Sequence, residues 1–306
     1  MLKLGIITNA RRIPEVMMTQ KNILSKIFMF LVLVFNSSAT ASQADSKFGQ
    51  NIDEIIVKSG LKRQIEQLPE VVSASFDERL SQEPAIKSEE AAKIRNILSQ
   101  SYNPSAMLKS MKTDIAAGLT DKDIKPILSW LNSSLGRKIT QLEEKASSGD
   151  AYREMQSFAA GLESNPPDPA RIDMLERLDQ AAHITEFSVR MKIHMVLIMT
   201  ESMSSVAGKN DFSREQLLAQ LKINRPKIEE ASKQEAMISG LYTYQSLTDD
   251  ELKEYISFYT SAAGVKYANV VTQGLLEALQ NGSRDMGEKL GNLIQEEQNK
   301  PADVDK

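Results

Sequence analysis

Residues 119–138 read LTDKDIKPILSWLNSSLGRK, and residues 247–266 read LTDDELKEYISFYTSAAGVK. They align without a gap at an offset of 128 residues. Over the 21 positions from 119 to 139, eight are identical: Leu119, Thr120, Asp121, Lys125, Ser129, Ser133, Gly136 and Lys138. Trp130 stands opposite Phe258, keeping an aromatic ring. A match of this length marks an internal repeat, and a repeat constrains the fold before any single element does. In the first copy Ile124, Ile127, Leu128 and Leu131 fall at i, i+3, i+4 and i+7; in the second Leu252, Tyr255, Ile256 and Tyr259 do the same. Each set is one apolar stripe on an amphipathic helix. Thr120 and Thr248 stand where N-caps belong. Glu251, three residues after Thr248, completes a capping box, of which Asp123 is the shorter-armed version. Ser133 and Ser261 then cap a second helix. Gly136 and Gly264, at its third position, leave room for the two helices to meet closely. Each copy is therefore predicted to be an α-hairpin. Pro126, opposite Glu254, predicts a kink or a delayed start in the first copy.

Working outward, Ile52, Ile55, Ile56, Leu61 and Ile65 give residues 50–66 a helical period. Ile172, Leu175, Leu178, Ala182, Phe187 and Val189 give 172–189 a similar one. Between the copies lies ESNPPDP, residues 163–169, whose three prolines cannot continue a helix. No segment after residue 45 alternates for long as a strand would. The expected fold is all-α: two repeated helical-hairpin bundles of about ten helices in total. The first repeat spans 46–162, a Pro-rich linker 163–171, the second repeat 172–295 and a flexible tail 296–306.

Lys21 and Lys26 precede an apolar run, Ile27 to Phe35, followed by Asn36, Ser37, Ser38, Ala39, Thr40 and Ala41. This is the order of a signal peptide, with cleavage expected after Ala41 or, second, Ala44. The run is far short of the roughly 20 apolar residues that span a bilayer. The long lead before it suggests Met17 or Met18 as the true start. The expected protein is periplasmic or secreted, with no stable membrane insertion once the signal is cut. Residues 1–41 hold five basic residues (Lys3, Arg11, Arg12, Lys21, Lys26) and one acid, Glu15; the remainder has 32 Lys and Arg against 40 Asp and Glu. That acidic balance, with no Lys/Arg cluster in the sequence, argues against nucleic acid and anionic membranes as partners. Cysteine is absent, so stability is expected to come without disulfides.

The pattern Leu-Thr-x-x-Glu-Leu-x-x-x-Ile-x-Phe-Tyr-x-Ser-x-x-Gly-x-Lys at Leu247 to Lys266 resembles the signature of a bacterial exported family, domain-of-unknown-function family twenty fifty-nine. The match is specific over about 20 residues and extends in outline from Ala231 to Asn292. Ala262 replaces the family's usual Pro after Ser261. The first copy, with Trp130-Leu131 for Phe-Tyr, is a fainter match. The resemblance implies a small exported helical module and brings no catalytic residues with it.

Residues able to carry chemistry are few. His183 and His194 are the only histidines, eleven apart and so near one face of a continuous helix; no zinc-binding spacing accompanies them. Met191, Met195, Met199 and Met203 recur every four residues beside His194, a donor set that suits Cu(I). The same stretch is apolar nearly all round, through Ile193, Val196, Leu197 and Ile198. A core helix in which Met fills gaps is therefore the favoured reading. Glu201-Ser202 resembles the Glu-Ser pair of lytic transglycosylases, without their companion Gly-Leu-x-Gln motif. A cell-wall enzyme using Glu201 as a lone acid predicts that residue in a cleft. The remaining carboxylates read as caps and solvated faces. Tyr242, Tyr244, Tyr255, Tyr259 and Tyr267 concentrate in the second copy, and Tyr255, Phe258, Tyr259 and Tyr267 are the candidate partner surface. Tyrosine belongs where one end is dry and the other wet, so these residues are expected at a core rim or, if there is a partner surface, on it. The expected function is an interaction module without a cofactor: an adaptor, scaffold or chaperone-like helper binding another envelope or secreted protein. A carrier of copper or a small apolar ligand on the Met-rich helix is the alternative, and no catalytic residue is assigned.

Overall fold

The computed structural model describes residues 45–82, 88–206 and 213–299. Over these the chain is all-α, with no strand. The helices are α1 (Asp45–Lys58), α2 (Leu61–Gln82), α3 (Ser88–Ser101), α4 (Pro104–Gly118), α5 (Asp121–Leu131), α6 (Ser134–Ala146), α7 (Gly149–Gly161), α8 (Pro169–Ala182), α9 (Ile184–Val206), α10 (Arg214–Thr243), α11 (Asp249–Thr260) and α12 (Ala262–Asn299). Residues 1–44, on which the expected signal peptide falls, and residues 300–306 lie outside the described residues. The tail expected from residue 296 is helical as far as Asn299, since neither Gly nor Pro occurs between Gly291 and Pro301. No helix among the described residues is long and apolar enough to cross a membrane.

Polar residues placed for capping set where the helices begin. Asn103 accepts from the Ala106 amide at 3.0 Å, with Pro104 at the first helical position. Asp168 accepts from the Ala170 amide at 2.8 Å, with Pro169 in the same role. The last proline of the 163–169 stretch therefore starts α8 three residues earlier than expected. Thr248 accepts from the Glu251 amide at 3.2 Å, and Glu251 accepts from the Thr248 amide at 2.8 Å, closing the capping box. Asp123 accepts from the Thr120 amide at 2.8 Å. Helix α5 starts at Asp121, the position equivalent to Asp249 of α11, so Pro126 does not delay it.

The α5–α6 and α11–α12 corners are built alike. Ser133 accepts from the Gly136 amide at 2.9 Å and Ser261 from the Gly264 amide at 3.1 Å. A Cβ on Gly136 would stand 2.1 Å from the Trp130 carbonyl oxygen, and one on Gly264 1.9 Å from that of Phe258. Backbone meets backbone here, and only glycine fits.

Two breaks interrupt stretches that the apolar period joins. Residues 50–66 divide at Gly60, φ 76°, and 172–189 divide at His183, φ 49°. Each is a single left-handed residue between two helices. The break places His183 at the corner and His194 inside α9, so the two histidines do not share one continuous helix.

The long C-terminal helix α12 is the spine, packing on α9 most extensively and also on α4, α3, α5, α11 and α8. It draws on both sides of the proline-rich segment. One continuous apolar core results, running from Ile52, Ile55 and Ile56 of α1 to Leu279 and Met286 of α12. Residues 163–168 thus connect parts of a single body. A second, smaller apolar cluster sits apart: Val196 and Leu197 of α9 with Leu217 and Leu221 of α10, edged by Ile193, Leu218 and Ile228.

Candidate functional site

The apolar stripe of α6 carries a carboxyl. Leu135, Ile139 and Glu143 recur every four residues, and all three are buried, Glu143 with only 4% of its surface exposed. Two tyrosine hydroxyls donate to the same oxygen, Glu143 Oε1: Tyr244, at the end of α10, from 3.1 Å, and Tyr255 of α11 from 2.8 Å. Tyr259 packs on Tyr255 with ring centroids 5.1 Å apart. Trp130 of α5 stacks on Phe258 at 4.6 Å and on Tyr255 at 5.8 Å. Beside this cluster lies a cavity of about 20 Å³ bordered by Glu143, Thr140, Ser59, Gln64, Tyr259 and Tyr267. That is room for one water molecule.

Burial pushes the Glu143 carboxyl well above the ordinary carboxylate range; the two tyrosine hydrogen bonds act the other way, and the neighbouring Glu144 adds to the rise. The Tyr244, Tyr255 and Tyr259 hydroxyls are likewise pushed up, chiefly by burial. The junction is closed on its outer side by the Lys138–Glu251 ion pair at 2.7 Å, which ties α6 to the capping box of α11. Arg171 of α8 adds a further tie, donating to the Tyr244 carbonyl at 2.5 Å and to Asp249 at 3.2 Å. Chemically the arrangement can hold a neutral carboxylic acid inside an aromatic shell and pass one proton to one water.

Most candidate residues fall in this region or beside it, but not in the roles expected. Tyr255, Phe258, Tyr259 and Tyr267 keep 2%, 9%, 2% and 5% of their surface exposed, so they are core and present no face to a partner. Their polar ends do not need bulk water, because Glu143, a side chain from 112 residues earlier in the chain, supplies the partner for Tyr255. Thr120, Thr248, Ser133, Ser261, Gly136, Gly264 and Glu251 form the caps and corners of α5–α6 and α11–α12.

The methionine set is divided from its histidine. Met191, Met195 and Met199 are buried in the main core, whereas His194 is exposed. Their stripe faces the core and α12; His194 points the other way, so the geometry does not bring thioethers and imidazole together. The side chain of Met203 lies outside the described residues. The all-round apolarity of α9 is met by two neighbours, with Met191, Met195 and Met199 in the main core and Val196 and Leu197 packed toward α10. Glu201 pairs with Arg214 and lines neither the cavity beside Glu143 nor a second one of about 10 Å³ between α8 and α10. Among the described residues no group of three or more His, Cys, Asp or Glu is placed to hold a metal ion.

Two features escaped the sequence reading. Glu143 had a signal, a carboxylate in register with Leu135 and Ile139. Ile223 of α10 had none: it is 76% exposed, an unusual position for a large aliphatic side chain, and is flanked by exposed Lys222, Arg225 and Lys227, a small basic group where the sequence reading expected none. Comparison of the chain with protein-family profiles, with curated proteins and with solved structures finds no match in any of the three.

Proposed function

We propose that this protein is an exported interaction module acting through its helical surface, without a cofactor and without catalysis, and that its contact surface centres on Ile223. The observation that carries this is the exposure of Ile223 on the outer side of α10, whose inner side is occupied by the small α9–α10 cluster. An aliphatic side chain left in water costs roughly 25 cal/mol for each Å² of apolar surface, a cost that association recovers. Pro226 and Lys227, three and four positions on, share its side of the helix, with Lys222 adjacent. The partner that fits is a protein segment offering an apolar side chain flanked by carboxylates. Export rests on the N-terminal signal pattern and on the resemblance of residues 247–266 to an exported helical family. An adaptor, scaffold or chaperone-like role is the class this supports.

The test is a photocrosslinking amino acid placed at Ile223 and, as control, at exposed Gln141, in cells expressing the full chain. The proposal expects one dominant adduct from position 223, none from 141, and its loss when Lys222 and Lys227 are changed to Glu. Equal labelling from both positions, or an adduct indifferent to the charge changes, would refute it.

A further inference from the structure

The two hydrogen bonds to Glu143 tie α6 to the end of α10 and to α11, alongside the Lys138–Glu251 ion pair nearer the start of α6. They join parts of the chain 101 and 112 residues apart. We propose that Glu143, the Tyr244 and Tyr255 hydroxyls and the adjoining cavity form a proton-operated latch, closed while the carboxyl is neutral and released when it ionises.

The geometry supplies each part. Both tyrosines donate to Oε1, which leaves Oε2 to carry the proton of the neutral acid. Among the described residues no Lys, Arg or His forms an ion pair with Glu143, so nothing nearby compensates a negative charge there. Glu144 on α6 repels the charge and is itself paired with Arg63 of α2 at 3.4 Å. Tyr244 comes from α10, Tyr255 and Tyr259 from α11, and Tyr267 from α12. The α1–α2 corner presents Ser59 and the Lys58 carbonyl, the latter occupied by the Thr140 hydroxyl at 3.2 Å. Lys138 is engaged by Glu251. An ion in this shell is hydrated only if water enters, and the cavity bordered by Glu143 is the place where the first molecule already fits. Hydration of the carboxylate separates α6 from α11 and disturbs the rings stacked on Tyr255.

The chain carries its own reporter. Trp130 is the single tryptophan, and it is stacked on Tyr255 and Phe258. The experiment follows Trp130 emission and near-ultraviolet circular dichroism of the full chain from pH 4.5 to 9, with amide hydrogen exchange of α11 at both ends of that range. The expected result is one single-proton transition above the ordinary carboxylate range. Exchange in α11, corrected for the intrinsic pH dependence, should rise at least about tenfold across it. Glu143→Gln, which keeps the acceptor for both tyrosines and cannot ionise, should abolish the transition and keep α11 protected throughout. Tyr255→Phe, which removes one donor that holds the closed state and leaves the carboxyl, should keep the transition and move it to lower pH. No transition in the wild type, a transition unchanged in Glu143→Gln, or a transition with unaltered α11 exchange would each overturn the latch. The wild-type titration stands even if a variant fails to fold.

Discussion

At the scale of single residues, Glu143 is the most consequential side chain in the molecule. A carboxyl whose folded-state pKa is raised adds its full share of stability below the unfolded value, where both states hold the proton. It loses that share as the pH climbs toward the folded value, because the unfolded chain ionises first. For Glu143 the direction is upward, from burial. Glu143→Gln should therefore change little near pH 4.5 and stabilise the protein at pH 8 by roughly 1–3 kcal/mol, the scale of an uncompensated buried polar group. Urea midpoints of the two proteins at the two pH values measure this. His183 is the second such residue. Its φ of 49° places a side chain in the left-handed region, which costs about 1 kcal/mol for a residue other than glycine. Its contact with Glu186, 3.4 Å between half-exposed side chains, returns little. His183→Gly is expected to raise the unfolding midpoint modestly, by about 0.5 kcal/mol once the added freedom of the unfolded chain is subtracted. A drop in midpoint would show that the imidazole does more at the α8–α9 corner than fill space.

At the scale of elements, the paired helices are held by where backbone can approach backbone. Gly264 sits against the Phe258 carbonyl, so a methyl group there has no position without moving the α11–α12 corner. Gly264→Ala should destabilise by about 3 kcal/mol or more, at the upper end of overpacking costs. Gly49, inside α1, meets nothing within 4 Å of where its Cβ would stand. Gly49→Ala should instead stabilise by about 0.5–1 kcal/mol, the ordinary gain of alanine over glycine in a helix. Chemical denaturation of the two variants side by side separates a glycine demanded by packing from one that is not. The same contrast explains the capping boxes. Thr248 and Glu251 were legible because a cap is a local device that depends on residues three apart. The breaks at Gly60 and His183 were not, because the apolar period continues across each of them.

At the scale of the whole molecule, α12 decides the organisation. It contributes Val270, Val271, Leu275, Leu276 and Leu279 to a core shared with α1, α4 and α5 from the first half of the chain. A fragment ending at residue 162 would leave α3 and α4 without the helix they pack on. Residues 45–162 alone are expected to lack a cooperative unfolding transition, whereas the full chain should unfold in one step seen alike by Trp130 emission and far-ultraviolet circular dichroism. Two separated transitions in the full chain, or a cooperative transition in the fragment, would show that the halves are independent.

The sequence by itself determined what depends on short-range order. The helical period, the caps at Thr120, Thr248, Ser133 and Ser261, and the glycines at the α5–α6 and α11–α12 corners all follow from residues within a few positions of one another, and they make the chain all-α. Only the tertiary structure decided which of those helices share a core, and with it the meaning of the tyrosines. Tyr255 reads as amphipathic wherever its hydroxyl must find a partner, and water is the usual one. Here the partner is Glu143, brought to 2.8 Å by the packing of α6 on the second half of the chain. A pairing across 112 residues leaves no periodic trace in either segment, because hydrogen-bond satisfaction is a property of the folded neighbourhood and not of the local chain.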